Sequence, residues 1–182
     1  MGSSGVRQAL KIRTIFNILG PLTNPAGAKR QVLGVFDHQW RAPLAEVLQR
    51  LGSQHVLVVH ADNGLDEFSP AGPTAYTELK HGKIQERRVS PGDFALPETS
   101  LAELRAAGPA ESLALIREAL TGTGPGAAMV AMNAGAALYV AGKANALGEG
   151  VERAQAILTS GRALARLEAF AKRTQALAGS HP

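Results

Sequence analysis

An α/β fold, a mostly parallel sheet flanked by helices with an alanine-rich helical region toward the C-terminus, is the class this sequence predicts. Three observations carry it. Two short apolar runs, Gln31–Phe36 and His55–His60, have strand length and enclose a stretch of helical period. Strand, helix and strand within about thirty residues make a β-α-β unit, whose crossover is right-handed. The second half of the chain repeats its apolar residues at helical spacing and is dominated by alanine.

The elements follow in order. Thr14 caps a short helical turn over Ile15 to Leu19, which Gly20 terminates and Pro21 blocks from continuing. Gln31–Phe36 is a buried strand. Trp40 to Leu51 is a helix, with Leu44, Val47, Leu48 and Leu51 on its inner face and Gly52 as its stop. His55–His60 is β-branched and almost wholly apolar, as a central parallel strand is. Thr74–Leu79 and Lys83–Val89 flank His81-Gly82, a hairpin in which Gly82 supplies the positive φ. Ser100 caps a turn over Leu101 to Leu104, with Glu103 completing a capping box. Helices over Ala110–Leu120 and Gly126–Ala141 enclose the loop Gly122-Thr-Gly-Pro-Gly126. A last helical region from about Glu149 to Ala178 breaks at Ser160-Gly161. Its stripe of Ala163, Leu167, Phe170, Thr174 and Leu177 is expected to face the core.

Composition bounds the rest. The chain has 182 residues, 45% hydrophobic but only 4% aromatic, so its core is aliphatic. Residues 1–5, Met-Gly-Ser-Ser-Gly, read as a vector-derived leader, and 6–182 as a single α/β domain. Nineteen Lys and Arg against fifteen Asp and Glu give +4, scattered and without aromatic interleaving, which argues against a nucleic-acid face. With no cysteine, disulfides and thiolate metal sites are excluded. The longest apolar stretch, Met129 to Gly142, falls short of the roughly 20 residues a membrane helix needs. A cytoplasmic protein without membrane contact is expected.

Asp66 and Glu67 are the strongest chemical candidates. They follow the strand His55–His60, and in open α/β sheets ligands gather beyond the carboxyl ends of strands. On a turn both carboxylates can converge on one Mg²⁺, whose other positions waters and phosphates fill. The residues alone leave a second reading open, a solvated acidic loop. The five histidines show no metal-ligand spacing, and His55 and His60, bracketing a strand, read as structural. Asn133, inside an alanine-rich helix, is expected to bond a neighbouring loop.

One segment is more distinctive than all of these. Arg13-Thr-Ile-Phe-Asn-Ile-Leu-Gly-Pro-Leu-Thr-Asn-Pro25 packs two X-Pro breaks into thirteen residues and holds one shape at low entropic cost. It resembles the signature of the anthranilate phosphoribosyltransferases. The similarity continues through Gly64-Leu-Asp-Glu-Phe-Ser-Pro70, Gly72-Pro-Thr74, Asn133-Ala-Gly-Ala-Ala-Leu138, Gly142-Lys143 and Glu149-Gly150, and runs from about Val6 to about Phe170.

The resemblance implies an enzyme that joins anthranilate to phosphoribosyl pyrophosphate in tryptophan biosynthesis, with Mg²⁺ as cofactor and a homodimer as its assembly. It gives Asp66 and Glu67 the magnesium that accompanies the pyrophosphate. It gives Arg7 the anthranilate carboxylate, which suits a guanidinium fork; Arg13 is the competing assignment. The family's Gly-Thr-Gly-Gly-Asp donor loop and its Lys-His-Gly-Asn segment have no counterpart here. Gly122-Thr-Gly-Pro-Gly126 lacks the Asp and reads as an interhelical loop, and Arg105-Ala-Ala-Gly-Pro109 departs from the family's Gly-Gly-Asp/Glu. The chain is therefore expected to be a truncated enzyme, inactive alone and prone to self-associate through uncovered apolar surface. Two other classes stay open on the residues: a non-catalytic scaffold or interaction domain, and a nucleoside phosphorylase relative, which shares the Gly-Pro-Leu-Thr-Asn-Pro string only loosely.

Overall fold

The alternation along one strand decides the architecture. In a computed structural model that describes residues 20–179, strand β2 (His55–Ala61) is buried on both faces. Leu57 and Val59 enter one apolar cluster, and Val56 and Val58 enter another. Strand β1 (Arg30–Gly34) pairs with β2 in parallel, from Arg30 opposite His55 to Gly34 opposite Val59. Helix α1 (Arg41–Arg50) is the crossover between them. A 3₁₀ turn, His38–Trp40, leads into it, capped by the Asp37 carboxylate, which accepts from the Gln39 N–H at 3.1 Å.

Strands β3 (Thr74–Lys80) and β4 (Lys83–Val89) complete the sheet in the order β1-β2-β3-β4. The α/β class and the flanking helices hold, but the sheet is mixed rather than mostly parallel. Among the described strands β1–β2 is parallel, while β2–β3 and β3–β4 are antiparallel. The reason lies in the connections. A parallel join needs a crossover of a dozen or more residues, usually a helix, and the segment 62–73 contains none. The β3–β4 turn has two residues, His81 at φ 50° and Gly82 at φ 72°, the double positive φ that a tight hairpin requires.

The second half supplies α2 (Pro109–Ala119), α3 (Ala127–Val140), α4 (Leu147–Thr159) and α5 (Arg162–Ala178). Ser100 and Glu103 form the expected capping box over Leu101–Leu104. Helix α1 covers one face of the sheet with Leu44, Ala45 and Leu48. Val47 and Leu51, expected beside them, are exposed instead, because Ala45 takes the inner position. Helix α3 covers the other face with Met132, Ala136, Tyr139 and Val140.

Helix α4 packs on α3 backbone to backbone. A Cβ at Gly135 would lie 2.6 Å from the Val151 N and Cα, and one at Gly150 would lie 2.3 Å from the Gly135 carbonyl oxygen. The two glycines of the Asn133–Leu138 and Glu149-Gly150 motifs thus meet each other.

Two further expectations are corrected. Gly20 to Leu22 is itself helical, where the sequence predicts a stop at Gly20 and Pro21; the φ of about −65° that proline imposes lies in the helical range. The α5 stripe does not face the core. Ala163 and Leu167 are half-buried, while Phe170 is 66% exposed, because α5 turns away after Gly161 at φ 74° and leaves the body behind. The presumed leader at 1–5 and the Thr14 cap lie outside the described residues. Among those described, no helix is long and apolar enough to cross a membrane.

On the α3 side of the sheet a charged group is buried deliberately. Glu78 is 4% exposed. Its Oε1 accepts from the Tyr139 hydroxyl at 2.6 Å and lies 3.1 Å from His55 Nε2, and its Oε2 accepts from Arg87 Nε at 2.9 Å. Lys80 Nζ donates to the Tyr139 oxygen at 3.0 Å. One carboxylate therefore ties β2, β3, β4 and α3 together. His55 is structural, as its place in the sequence suggests. So is His60, whose Nδ1 meets the Val35 carbonyl at 2.8 Å.

Candidate functional site

The parallel strands β1 and β2 end on the same side, and the segment 62–73 passes over that end. Its backbone is tied down at both margins. The Ala61 N–H donates to the Leu65 carbonyl at 2.8 Å, the Gly64 N–H to Ala61 at 2.9 Å, and the Asp62 N–H to Pro73 at 3.1 Å. Side chains brace the interior: Asn63 Nδ2 donates to Ser69 Oγ at 2.7 Å, and the Ser69 N–H to Thr74 Oγ1 at 3.0 Å.

Two anchors hold the middle of the loop, one on each side of Glu67. The first is Phe68. Its ring is fully buried and sits edge-on to Tyr76 at 5.6 Å. Its peptide groups are clamped by one side chain: Asn133 Oδ1 accepts from the Phe68 N–H at 3.0 Å, and Asn133 Nδ2 donates to the Phe68 carbonyl at 2.9 Å. The same Nδ2 donates to Met129 of its own helix at 2.9 Å. The expected bond from Asn133 to a neighbouring loop is therefore present, and it lands on the loop with the carboxylates. The second anchor is Gly34 at the end of β1. A Cβ there would fall 1.8 Å from the Asp66 carbonyl oxygen, so only glycine lets the loop descend onto the strand.

Between these anchors Asp66 and Glu67 are both exposed. The third acid of the loop, Asp62, is bridged by the Arg88 guanidinium, with Nη1 to Oδ1 at 3.1 Å. Asp66 and Glu67 have no hydrogen-bond or ion-pair partner for their carboxylates among the described residues. No group of three or more His, Cys, Asp or Glu stands at metal-binding distance among the described residues. The protein's donor set is a pair of hard oxygen ligands on a braced loop. That suits an ion which takes one or two carboxylates and completes its shell with water and phosphate, as Mg²⁺ does.

Arg7 and its competitor Arg13 lie outside the described residues. The Gly122–Gly126 stretch is an interhelical loop between α2 and α3, as expected, with positive φ at Gly122 and Gly124. Gly34 escaped the sequence reading. Its signal is there nonetheless: an isolated glycine inside the apolar run Gln31–Phe36 marks a close backbone approach.

Comparison with known proteins gives the family and the fold. Residues 2–164 match the family described as glycosyl transferase family, a/b domain. The anthranilate phosphoribosyltransferase of Halorhodospira halophila is 53% identical over 175 residues, which cover 96% of this chain and 51% of that protein. The crystal structure of anthranilate phosphoribosyltransferase from Thermus thermophilus superposes with a TM-score of 0.81 at 45% identity, covering 92% of this chain and 50% of that one. The Saccharomyces cerevisiae anthranilate phosphoribosyltransferase in complex with PRPP and Mg superposes with a TM-score of 0.76 at 28% identity, covering 91% of this chain and 48% of that one. The chain spans about half the length of the curated relatives it matches.

Proposed function

The chain belongs to the glycosyl transferase family by its a/b domain, and on that premise we propose that it carries the metal–pyrophosphate half of an anthranilate phosphoribosyltransferase. The observation that supports this most is the division of labour among three acids on one loop. Arg88 engages Asp62, while Asp66 and Glu67 have no partners among the described residues and stand on a segment anchored from below and from the side. A solvated acidic loop has no need of that bracing.

In this reaction the anthranilate amine forms a bond to the anomeric carbon of the ribose as the bond to pyrophosphate breaks, and the nitrogen then sheds one proton to solvent or to the departing pyrophosphate. The amine is already nucleophilic, so the half present here needs no strong base. Asp66 and Glu67 would hold magnesium, which when bound neutralises the departing pyrophosphate. The chain's own part is placement: Gly34 and Asn133 fix the loop before substrate arrives, so no reorganisation is needed at the moment of reaction. Arg7 belongs to the same reading as the group for the anthranilate carboxylate. The homodimer, the cytoplasmic setting and a role in tryptophan biosynthesis follow from the family resemblance and complete it.

A thermal melt of the chain tests the reading. Mg²⁺ with phosphoribosyl pyrophosphate is expected to raise Tm saturably, and the double variant Asp66→Asn/Glu67→Gln to lose that rise. Loss of anthranilate fluorescence, measured in parallel, is expected to show negligible turnover by this half alone. An equal rise in the double variant, or none in the unaltered chain, would reject the assignment.

A further inference from the structure

Resting on the reading that Asp66 and Glu67 take a divalent cation, we propose that Asn133 is a positioning residue for that pair and sets its metal affinity through the backbone of Phe68. The argument begins with what only an amide can do. Phe68 presents an N–H and a carbonyl in the same direction, and Asn133 answers both with one planar group, at 3.0 Å and 2.9 Å. An ionised carboxylate could accept but not donate, and an aliphatic side chain could do neither.

The bond to Met129 at 2.9 Å fixes the amide against its own helix, so its direction is set by α3 and not by the loop. Helix α3 is in turn seated on the sheet by Met132, Ala136 and Tyr139. The loop thus takes its position from a rigid body.

Location distinguishes this clamp from ordinary packing. Phe68 is the residue after Glu67, and the contact of Gly34 falls on Asp66 itself. The two carboxylates therefore lie between a floor and a clamp, with no free residue between them. Ligand oxygens must be held to about 0.5 Å for a cation to use both. Without the clamp Glu67 is tethered on one side only, and the entropy of ordering the pair falls on the binding step. Loss of such supporting contacts around a metal site typically weakens affinity about 10- to 100-fold.

The experiment is Mn²⁺ binding in the presence of pyrophosphate, followed by water-proton relaxation, on four forms of the chain. Asn133→Ala is expected to raise the Mn²⁺ Kd about tenfold or more at unchanged stoichiometry. Leu79→Ala, in the cluster on the opposite face of the sheet and at the end of β3 remote from the loop, destabilises without touching α3 or the loop, serves as the structural control and is expected to keep the Kd of the unaltered chain. Asn133→Ala with an unaltered Kd, or a weakening that Leu79→Ala reproduces, overturns the positioning role alone. Equal binding by Asp66→Asn/Glu67→Gln and the unaltered chain, or none by either, overturns the metal reading beneath it and the inference with it.

Discussion

Gly135→Val is expected to cost the chain about 3 kcal/mol or more of stability, the upper range of overpacking effects. The expected sign is informative because two effects oppose each other. Inside a helix, replacing glycine by a larger residue ordinarily helps, by about 1 kcal/mol for alanine. At Gly135 the first added carbon would already lie 2.6 Å from the Val151 backbone, and backbone cannot rotate away as a side chain can. Contact wins over propensity, and α3 must separate from α4. Even Gly135→Ala is therefore expected to lower the urea midpoint. A midpoint at or above that of the unaltered chain would show that the helices are not in the contact described. Gly150 meets the same seam from α4, where an added carbon would lie 2.3 Å from the Gly135 carbonyl oxygen, so its alanine variant is expected to behave alike, and the two should not add.

Removing the Glu78 side chain is expected to destabilise by about 3–5 kcal/mol, because Glu78→Ala leaves His55, Tyr139 and Arg87 facing a void. Glu78→Gln keeps the shape and is expected to cost less. The pair also predicts a pH dependence. Burial by itself would push the Glu78 carboxyl up, but hydrogen bonds from His55 and Tyr139 and the Arg87 charge overcome it and hold the group down at about 2. A carboxyl lowered on folding stabilises fully above its unfolded value of about 4.5 and loses that contribution as pH falls toward 2. The loss over that interval is roughly 3 kcal/mol at 1.36 kcal/mol per unit. Denaturant unfolding at stepped pH checks it. The acid-sensitive component should vanish in Glu78→Gln, and its persistence there would assign it to other carboxyls.

How far these features could be read from the sequence depended on whether their causes are local. The hairpin was legible because Gly82, between two strand-like runs, supplies the positive φ of a tight turn; that His81 shares it is visible only in the fold. The helix over Arg41–Arg50 and the break at Gly161 were legible for similar reasons of spacing and backbone freedom. Sheet direction was not, since an apolar run such as His55–Ala61 looks the same beside a parallel or an antiparallel neighbour. Nor was the exposure of Phe170: an amphipathic stripe records that a face is apolar, and says nothing of whether a surface lies opposite it. In the candidate site, their place after a strand made Asp66 and Glu67 candidates, and the family resemblance gave them a role. What supports them could not. Gly34 and Asn133 act from β1 and α3, and only the fold brings those elements to the loop.

The clamp on Phe68 also has a consequence in time. Asn133 lies 65 residues beyond the peptide it holds. At a synthesis rate of about 5–20 residues per second, the loop with its two carboxylates waits on the order of several seconds for its partner to be made. The strands on either side of it pair with near neighbours and need no such delay. The carboxylate pair then takes shape only after the sheet beneath it has been made. A nascent chain stalled before α3 would hold both acids and the sheet beneath them, without the geometry that makes them a site.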